Sequence, residues 1–291
     1  MSAATPLFDA PGPRARAIQR IATVVIALLV LAALGFALMR LGERGNLAAD
    51  KWTPFFTASV WRNYILPGLQ ATFVAAGLSI VLSLVFGLLL GLGRMSPIAP
   101  VRWAAGAFVE FFRSVPVLIM MIFAFWLFAS QGLFPARQLA LAGTVTGLVT
   151  YNSCVLAELL RASVNNLPKG QAEAGRAIGL TEGQNMFIVQ LPQALRLALP
   201  ALVSQLVIIL KDSALGYQIT YAELLRQGER VGSAYANIVP ALIVVAVLFI
   251  IINYSLSALA VKLEDVLSRS RPGSDDAVEA AMEQAGIPTT R

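Results

Sequence analysis

What most constrains this chain is the recurrence of uncharged apolar stretches, each long enough to cross a bilayer, with nearly all charge confined between them. A helix rising about 1.5 Å per residue needs roughly 20 mostly apolar residues to cross a hydrocarbon core about 30 Å thick. Residues 21–39, IATVVIALLVLAALGFALM, meet that requirement and follow Arg14, Arg16 and Arg20. A cleaved signal peptide is the rival reading. The run exceeds the usual apolar h-region of about 7–15 residues and ends in no small-x-small site, so a retained first span is expected. Residues 63–93 are uncharged and hold a surface stretch plus a second span, on which Gly87, Gly91 and Gly93 permit close helix approach. A third span is expected over about 107–130, uncharged after Arg113, and a fourth over about 138–161. The fifth must fall within 193–212, and the sixth within 231–261, where Pro240 suits a first helical turn. The expected fold is an all-α membrane protein, a polytopic helix bundle with about six transmembrane helices. Composition agrees: 57% of the residues are hydrophobic and 13% charged, against about 25% charged in soluble domains.

The connecting segments fix a topology. Residues 46–62 form a polar linker with Trp52, Phe55, Phe56 and Trp61, aromatic residues that favour a membrane interface. Residues 94–102, with Pro97 and Pro100, break the helix. Six spans put both ends on one side. If that side is cytoplasmic, thirteen of the 22 Lys and Arg lie inside and eight outside, with Arg113 unassigned. This follows the positive-inside rule, so a multi-pass protein with both termini cytoplasmic is expected. After Glu264 comes a polar tail with Asp275, Asp276, Glu279 and Glu283, expected to be loosely ordered.

Absent residues exclude whole chemistries. The chain has no histidine and one cysteine, Cys154, so it holds neither an internal disulfide nor a His/Cys metal site, and no imidazole serves a nucleophile as base. Cys154 lies in an apolar run and reads as a small packing residue. The net charge of +6 is scattered between spans and forms no basic face with aromatic platforms, so membrane lipid, not nucleic acid, is the expected partner. No G-x-x-x-x-G-K-[ST] loop occurs, so energy for any active transport must come from a partner or an ion gradient. A secondary transporter or channel is the alternative, although the internal repeats such folds favour are not evident. A membrane-embedded enzyme lacks its usual histidines here, and no catalytic residues are assigned.

The most informative stretch is 171–202, QAEAGRAIGLTEGQNMFIVQLPQALRLALPAL. Residues 172–178 form helix readily, Gly179 suits a helix C-terminal turn, Thr181 with Glu182 can open a second short helix, and Pro192 marks the next span. The product is a compact helical knob, or else an ordinary re-entry loop. Glu173-Ala174-Gly175, then Gly179, then Val189-x-Leu191-Pro192 match the pattern E-A-A-x3-G-x9-I-x-L-P. This resembles the EAA loop of bacterial ABC-importer permeases, with Gly175 in place of the second Ala and Val189 in place of Ile. The runs GLQAT at 68–72, FRSVP at 112–116, LPQALR at 191–196 and LKDSAL at 210–215 are similar to the polar amino-acid uptake family. KDSALGYQITYAELLR looks closest to glutamate-type permeases. The resemblance spans about residues 65–265.

That resemblance implies a permease subunit of an ATP-driven importer for polar amino acids in a bacterial cell membrane. Its core would be five helices, here preceded by an extra one. The corresponding division is 1–64 for the cytoplasmic N-terminus, first span and external linker, 65–265 for the permease core with its coupling loop at 166–192, and 266–291 for the cytoplasmic tail. Glu173, Ala174, Gly175, Arg176, Gly179, Leu180, Leu191 and Pro192 would couple to a cytoplasmic ABC ATPase dimer. A second permease subunit, identical or related, and an extracytoplasmic solute-binding protein complete the expected partners. The chain itself would need no metal or cofactor, since ATP is used by the partner. Ionisable groups within a span cost about 2.5–3.5 kcal/mol each on insertion scales, which makes them functional suspects. An amino acid needs a cation for its carboxylate and an acceptor for its ammonium, and an acidic one needs a second cation or several donors. Arg113, Asn152, Ser153, Lys211, Asp212, Ser213 and Gln218 are the candidates along the substrate pathway. Glu110 and Arg113, three apart, are expected to pair, and Glu158 with Arg161 to form a structural ion pair.

Overall fold

The computed structural model describes residues 12–269, without the side chains of residues 13, 260 and 263–269. The first eleven residues and nearly all of the expected tail at 266–291 lie outside the described residues. Among the described residues all regular structure is helical. In chain order the helices are α1 (Pro13–Glu43), α2 (Leu66–Arg94), α3 (Ala99–Ser114), α4 (Val117–Gln131), α5 (Ala136–Asn165), α6 (Lys169–Ala177), α7 (Leu191–Asp212), α8 (Leu224–Ala234) and α9 (Ile238–Arg269), with short helical turns in several linkers. Five of them, α1, α2, α5, α7 and α9, are long and apolar enough to cross a membrane.

A sixth crossing exists only as a bent pair. α3 and α4 meet at 103°, so the expected straight span over 107–130 is not formed. Pro116 forces Val115 into extended backbone at φ −91° and ψ 129°, because the proline ring clashes with an α-helical residue before it. The charges also explain the bend, since Arg102, Glu110 and Arg113 all lie on α3, leaving α4 wholly uncharged. A second difference lies at the start of the run expected to hold the sixth span. Leu224–Ala234 fold into α8, which includes the start of the run expected to span, and the last crossing begins at Ile238 with Pro240 in its first turn. The helix starts there because the Glu223 carboxylate accepts from the backbone N–H of Leu225 and of Arg226, each at 2.7 Å.

α5 is the centre of the bundle, flanked by α2, α3, α4 and α7. It sits against α2 through small residues. A Cβ on Gly87 would stand 2.7 Å from Leu156 Cβ, and one on Gly91 would stand 3.0 Å from Leu160. Gly93 instead faces Ala105 of α3. At one end of the bundle, Leu92, Met95, Leu160, Val164, Leu191 and Ala194 join α2, α5 and α7. At the other, Tyr221 donates to the Ala71 carbonyl at 2.7 Å and the Leu224 N–H donates to Thr72 Oγ1 at 3.1 Å, holding α8 on the start of α2. Lys51 Nζ donates to Ala236 O, and Asn237 donates to Lys51 O, which closes the 46–62 linker onto the same end. α1 stands apart: it is apolar on all sides and buries no described side chain, as suits a helix facing lipid.

Gly87→Leu should force α2 off α5 and cost about 1–3 kcal/mol or more, typical of overpacking, read as a lower thermal midpoint and less monodisperse protein in detergent. Burial raises the Glu223 carboxyl from 4.5 to about 7, against its two backbone hydrogen bonds. The folded state therefore keeps a proton that the unfolded chain has lost, and stability falls as pH rises from about 4.5 to about 7, then levels. The loss is on the order of 3 kcal/mol, and Glu223→Gln should flatten that part of the stability–pH profile.

Candidate functional site

Between α5 and α7 the chain folds back twice to make a knob. α6 ends at Gly179, whose φ of +83° is a left-handed conformation that side chains resist. The Gly179 N–H donates to Arg176 O at 2.9 Å and the Leu180 N–H to Gly175 O at 3.1 Å, so the last carbonyls of α6 are satisfied by a Schellman turn. Thr181 then caps the next turn. Its hydroxyl accepts from the Gln184 N–H at 3.4 Å, and Gln184 Oε1 accepts from the Thr181 N–H at 2.9 Å. From Glu182 the path runs helically through a π-turn, Asn185–Gln190, into α7. The expected start of the fifth crossing near Pro192 is thus the second arm of the knob continued.

The two arms are joined side to side. Arg176 Nε donates to Glu182 Oε1 at 2.8 Å, and this carboxylate raises the guanidinium's pKa. Asn185, fully buried, reaches under α6 and donates from Nδ2 to the Ala172 carbonyl at 2.9 Å. Gly175 is the opening it fits: a Cβ there would lie 2.2 Å from Asn185 Oδ1. That oxygen is buried without a hydrogen-bond donor. Leu191 is buried below the knob, Leu180 is half-buried, and Pro192 occupies the first turn of α7. Glu173 and Ala174 lie on α6, both exposed, and Ile178, Phe187 and Ile188 are exposed as well. Asn185 escapes a sequence reading because no motif names it. The only signal is Gly175, where the EAA pattern has alanine.

The charged groups of α2, α3 and α5 converge on Glu158. Arg161 donates to both its oxygens, at 3.1 and 2.5 Å. Arg94 bridges Glu158 at 2.8 Å and Glu110 at 2.9 Å, while Arg113 stands 3.7 Å from Glu158. The expected Glu158–Arg161 pair is present, but the Glu110–Arg113 pair is not. Arg94, arriving from the end of α2, takes Glu110, and Arg113 turns to α5.

The other substrate-pathway candidates do not converge on it. Asn152 is buried, donates to Leu148 O and accepts from Gln205 Nε2 at 2.7 Å, and Ser153 donates to Val149 O. Ser213 is buried and donates to Leu210 O, Asp212 is half-buried, and Lys211 and Gln218 are exposed at the far end of α7 and in the turn after it. Ser153 also lines a largely apolar cavity of about 380 Å³ with Phe86, Phe108, Thr146, Val149 and Thr150.

A bundle of spanning helices with a stapled knob between two of them, and charge confined to its ends and one interhelical cluster, has the build of a membrane transport subunit. The chain belongs to the binding-protein-dependent transport system inner membrane components, the family that its residues 83–268 match. It is 49% identical over 231 residues to the glutamate transport system permease protein GluD of Corynebacterium glutamicum, covering 79% of this chain and 85% of that one. With the probable glutamine ABC transporter permease GlnP of Bacillus subtilis it shares 31% over 204 residues, 69% of this chain and 92% of that. A crystal structure of an amino acid ABC transporter with histidines superposes with a TM-score of 0.64 at 28% identity, covering 69% of this chain and 92% of that chain. The MetNI methionine ABC transporter, at 23% identity and a TM-score of 0.55, shares the fold. The chain is an ABC-importer permease, not a secondary transporter or channel.

If Asn185 needs the gap at Gly175, the two positions must be coupled. Gly175→Ala alone should lower the thermal midpoint clearly, whereas Gly175→Ala with Asn185→Ala should recover much of the loss. A double-mutant cycle should give a coupling of about 1 kcal/mol or more, and additivity would show that the side chain does not depend on the glycine.

Proposed function

We propose that this permease forms one half of the transmembrane pathway of an importer for polar amino acids, glutamate-type substrates foremost, driven by ATP hydrolysed on a partner. The rigid knob between α5 and α7 is the observation that carries the proposal. The proposed assembly has a cytoplasmic ABC ATPase dimer gripping two such knobs, a second permease subunit, identical or related, and an extracytoplasmic solute-binding protein delivering substrate to the opposite end. Both termini lie in the cytoplasm in this reading, which puts the knob on the ATPase side. The 49% identity to a glutamate permease supports the substrate class.

The knob suits a mechanical role because a lever must not bend at its joint. Glu173 and Ala174 on α6 are both open to solvent, and are available to a groove on the ATPase. Asn185 and the Arg176–Glu182 pair tie α6 to the arm that becomes α7, and Leu160, Val164, Leu191 and Ala194 tie that arm to α5. Closure of the ATPase dimer would then swing α5 and α7 together and switch access to the pathway. In this reading Arg113, Asn152, Ser153, Lys211, Asp212, Ser213 and Gln218 are points along the route, at successive levels of α3, α5, α7 and the turn after it. They do not constitute one site.

Reconstitution with the ATPase and binding protein tests the proposal. Glu173→Lys reverses the charge presented to the partner, and Gly179→Val strains a φ of +83° by on the order of 1–3 kcal/mol. Both variants should insert and assemble, yet lose about tenfold or more of their amino-acid uptake per ATP hydrolysed. Normal coupling in both, or uptake in vesicles lacking the ATPase, would sink the proposal.

A further inference from the structure

At the end of the bundle opposite the knob, α8 and the π-turn Trp61–Ile65 enclose an open cavity of about 550 Å³, lined by Tyr64, Arg226, Glu229, Arg230, Ser233 and Ala234. Its charged residues follow one another along α8 as cation, anion, cation: positions 229 and 230 lie three and four residues on from 226, so both neighbour it on the helix surface. Glu229 is already held in place: Tyr217 Oη donates to its Oε1 at 2.5 Å, and Arg226 Nη1 donates to its Oε2 at 3.3 Å. Arg226 also lies over the Tyr217 ring, 5.5 Å from its centroid. Its Nε is buried without an acceptor, although a buried guanidinium N–H left unpaired is costly. Arg230 is exposed, and among the described residues it stands in no ion pair, since Glu229 is bridged by Arg226. The wall is rigid, since α8 is capped by the buried Glu223 and pinned to α2 through Thr72.

We propose that this cavity is a receiving site for a free dicarboxylic amino acid. The ligand's charges run carboxylate, ammonium, carboxylate, the complement of Arg226, Glu229 and Arg230. One carboxylate meets the Arg226 guanidinium, the ammonium shares the Glu229 oxygens, and the second carboxylate is met by Arg230, with Ser233 as a further donor. Charge-assisted hydrogen bonds of this kind are the strong ones, and guanidinium forks suit carboxylates. An inorganic dianion fits less well, because it would meet Glu229 with no cation of its own. A neutral amino acid leaves Arg230 unused. The proposal rests on the reading that this end faces the incoming substrate.

The test uses the permease–ATPase complex in lipid nanodiscs without binding protein, titrated with radiolabelled L-glutamate, L-glutamine and inorganic phosphate. Wild type should bind glutamate about tenfold or more tightly than glutamine or phosphate. Arg230→Gln, an exposed change that leaves the fold alone, should weaken glutamate by about tenfold while shifting glutamine less than about twofold. Arg226→Gln should weaken both amino acids. Equal binding of glutamate and glutamine by wild type, or unchanged glutamate binding in Arg230→Gln, overturns the site. Tighter binding of phosphate than of glutamate would mark a simple anion site and overturns it too. ATP-dependent uptake by the complete wild-type system, measured in parallel, keeps the two readings apart. If that uptake is present while Arg230→Gln binds normally, only the receiving site falls; if no amino acid is taken up, the importer reading itself fails.

Discussion

In hydrocarbon, apolar side chains gain nothing by leaving water, so spanning helices hold together through close packing and the polar contacts they make with one another. Here both devices meet on α5. Gly87 and Gly91 let α2 approach it almost backbone to backbone, and on another side Gln205 of α7 donates to Asn152. α3 and α4 follow the same helix on either side of the Pro116 elbow, and the knob hangs from its end. Helices with nothing to offer α5 stay outside this core, as α1 does.

The charge in the bundle obeys the same rule. Arginine is costly in lipid unless partnered, and three arginines gather on Glu158, with Glu110 shared through Arg94. The cluster joins α2, α3 and α5 near the end that carries the knob, so α5 is tied electrostatically to α2 and α3 there. At the opposite end polar contacts are made mostly to backbone, by Tyr221, Thr72, Lys51 and Asn237, and the charged side chains of α8 are left to line a cavity.

Much of this is legible in the sequence. The uncharged runs locate every long crossing, and Gly179 announces a left-handed turn because few other residues tolerate one. The Thr181 cap is readable for a similar reason: a hydroxyl at that point has an evident backbone partner. The elbow at Pro116 is hidden because spanning helices often accommodate proline, so an uncharged run around it reads as one crossing. α8 is hidden because its cap works only once Glu223 is buried against α2, a fact of tertiary structure. Arg94 illustrates the general difficulty, since local spacing favours Glu110 with Arg113 while the stronger partner arrives from another helix. Asn185 and the α8 cavity are not legible at all, because each depends on which segments the fold lays side by side.

Asn185 has a mechanical side as well. Its Oδ1 is shut away from water without a donor, which costs roughly 1–3 kcal/mol for a buried polar atom. Parting the two arms would rehydrate that oxygen and relieve much of this penalty, offsetting the packing that separation breaks. The joint is therefore stiff against small displacements, because Gly175 leaves the side chain no room, and part of what separation would cost is returned as that oxygen meets water. A fastening of that kind resists bending under load.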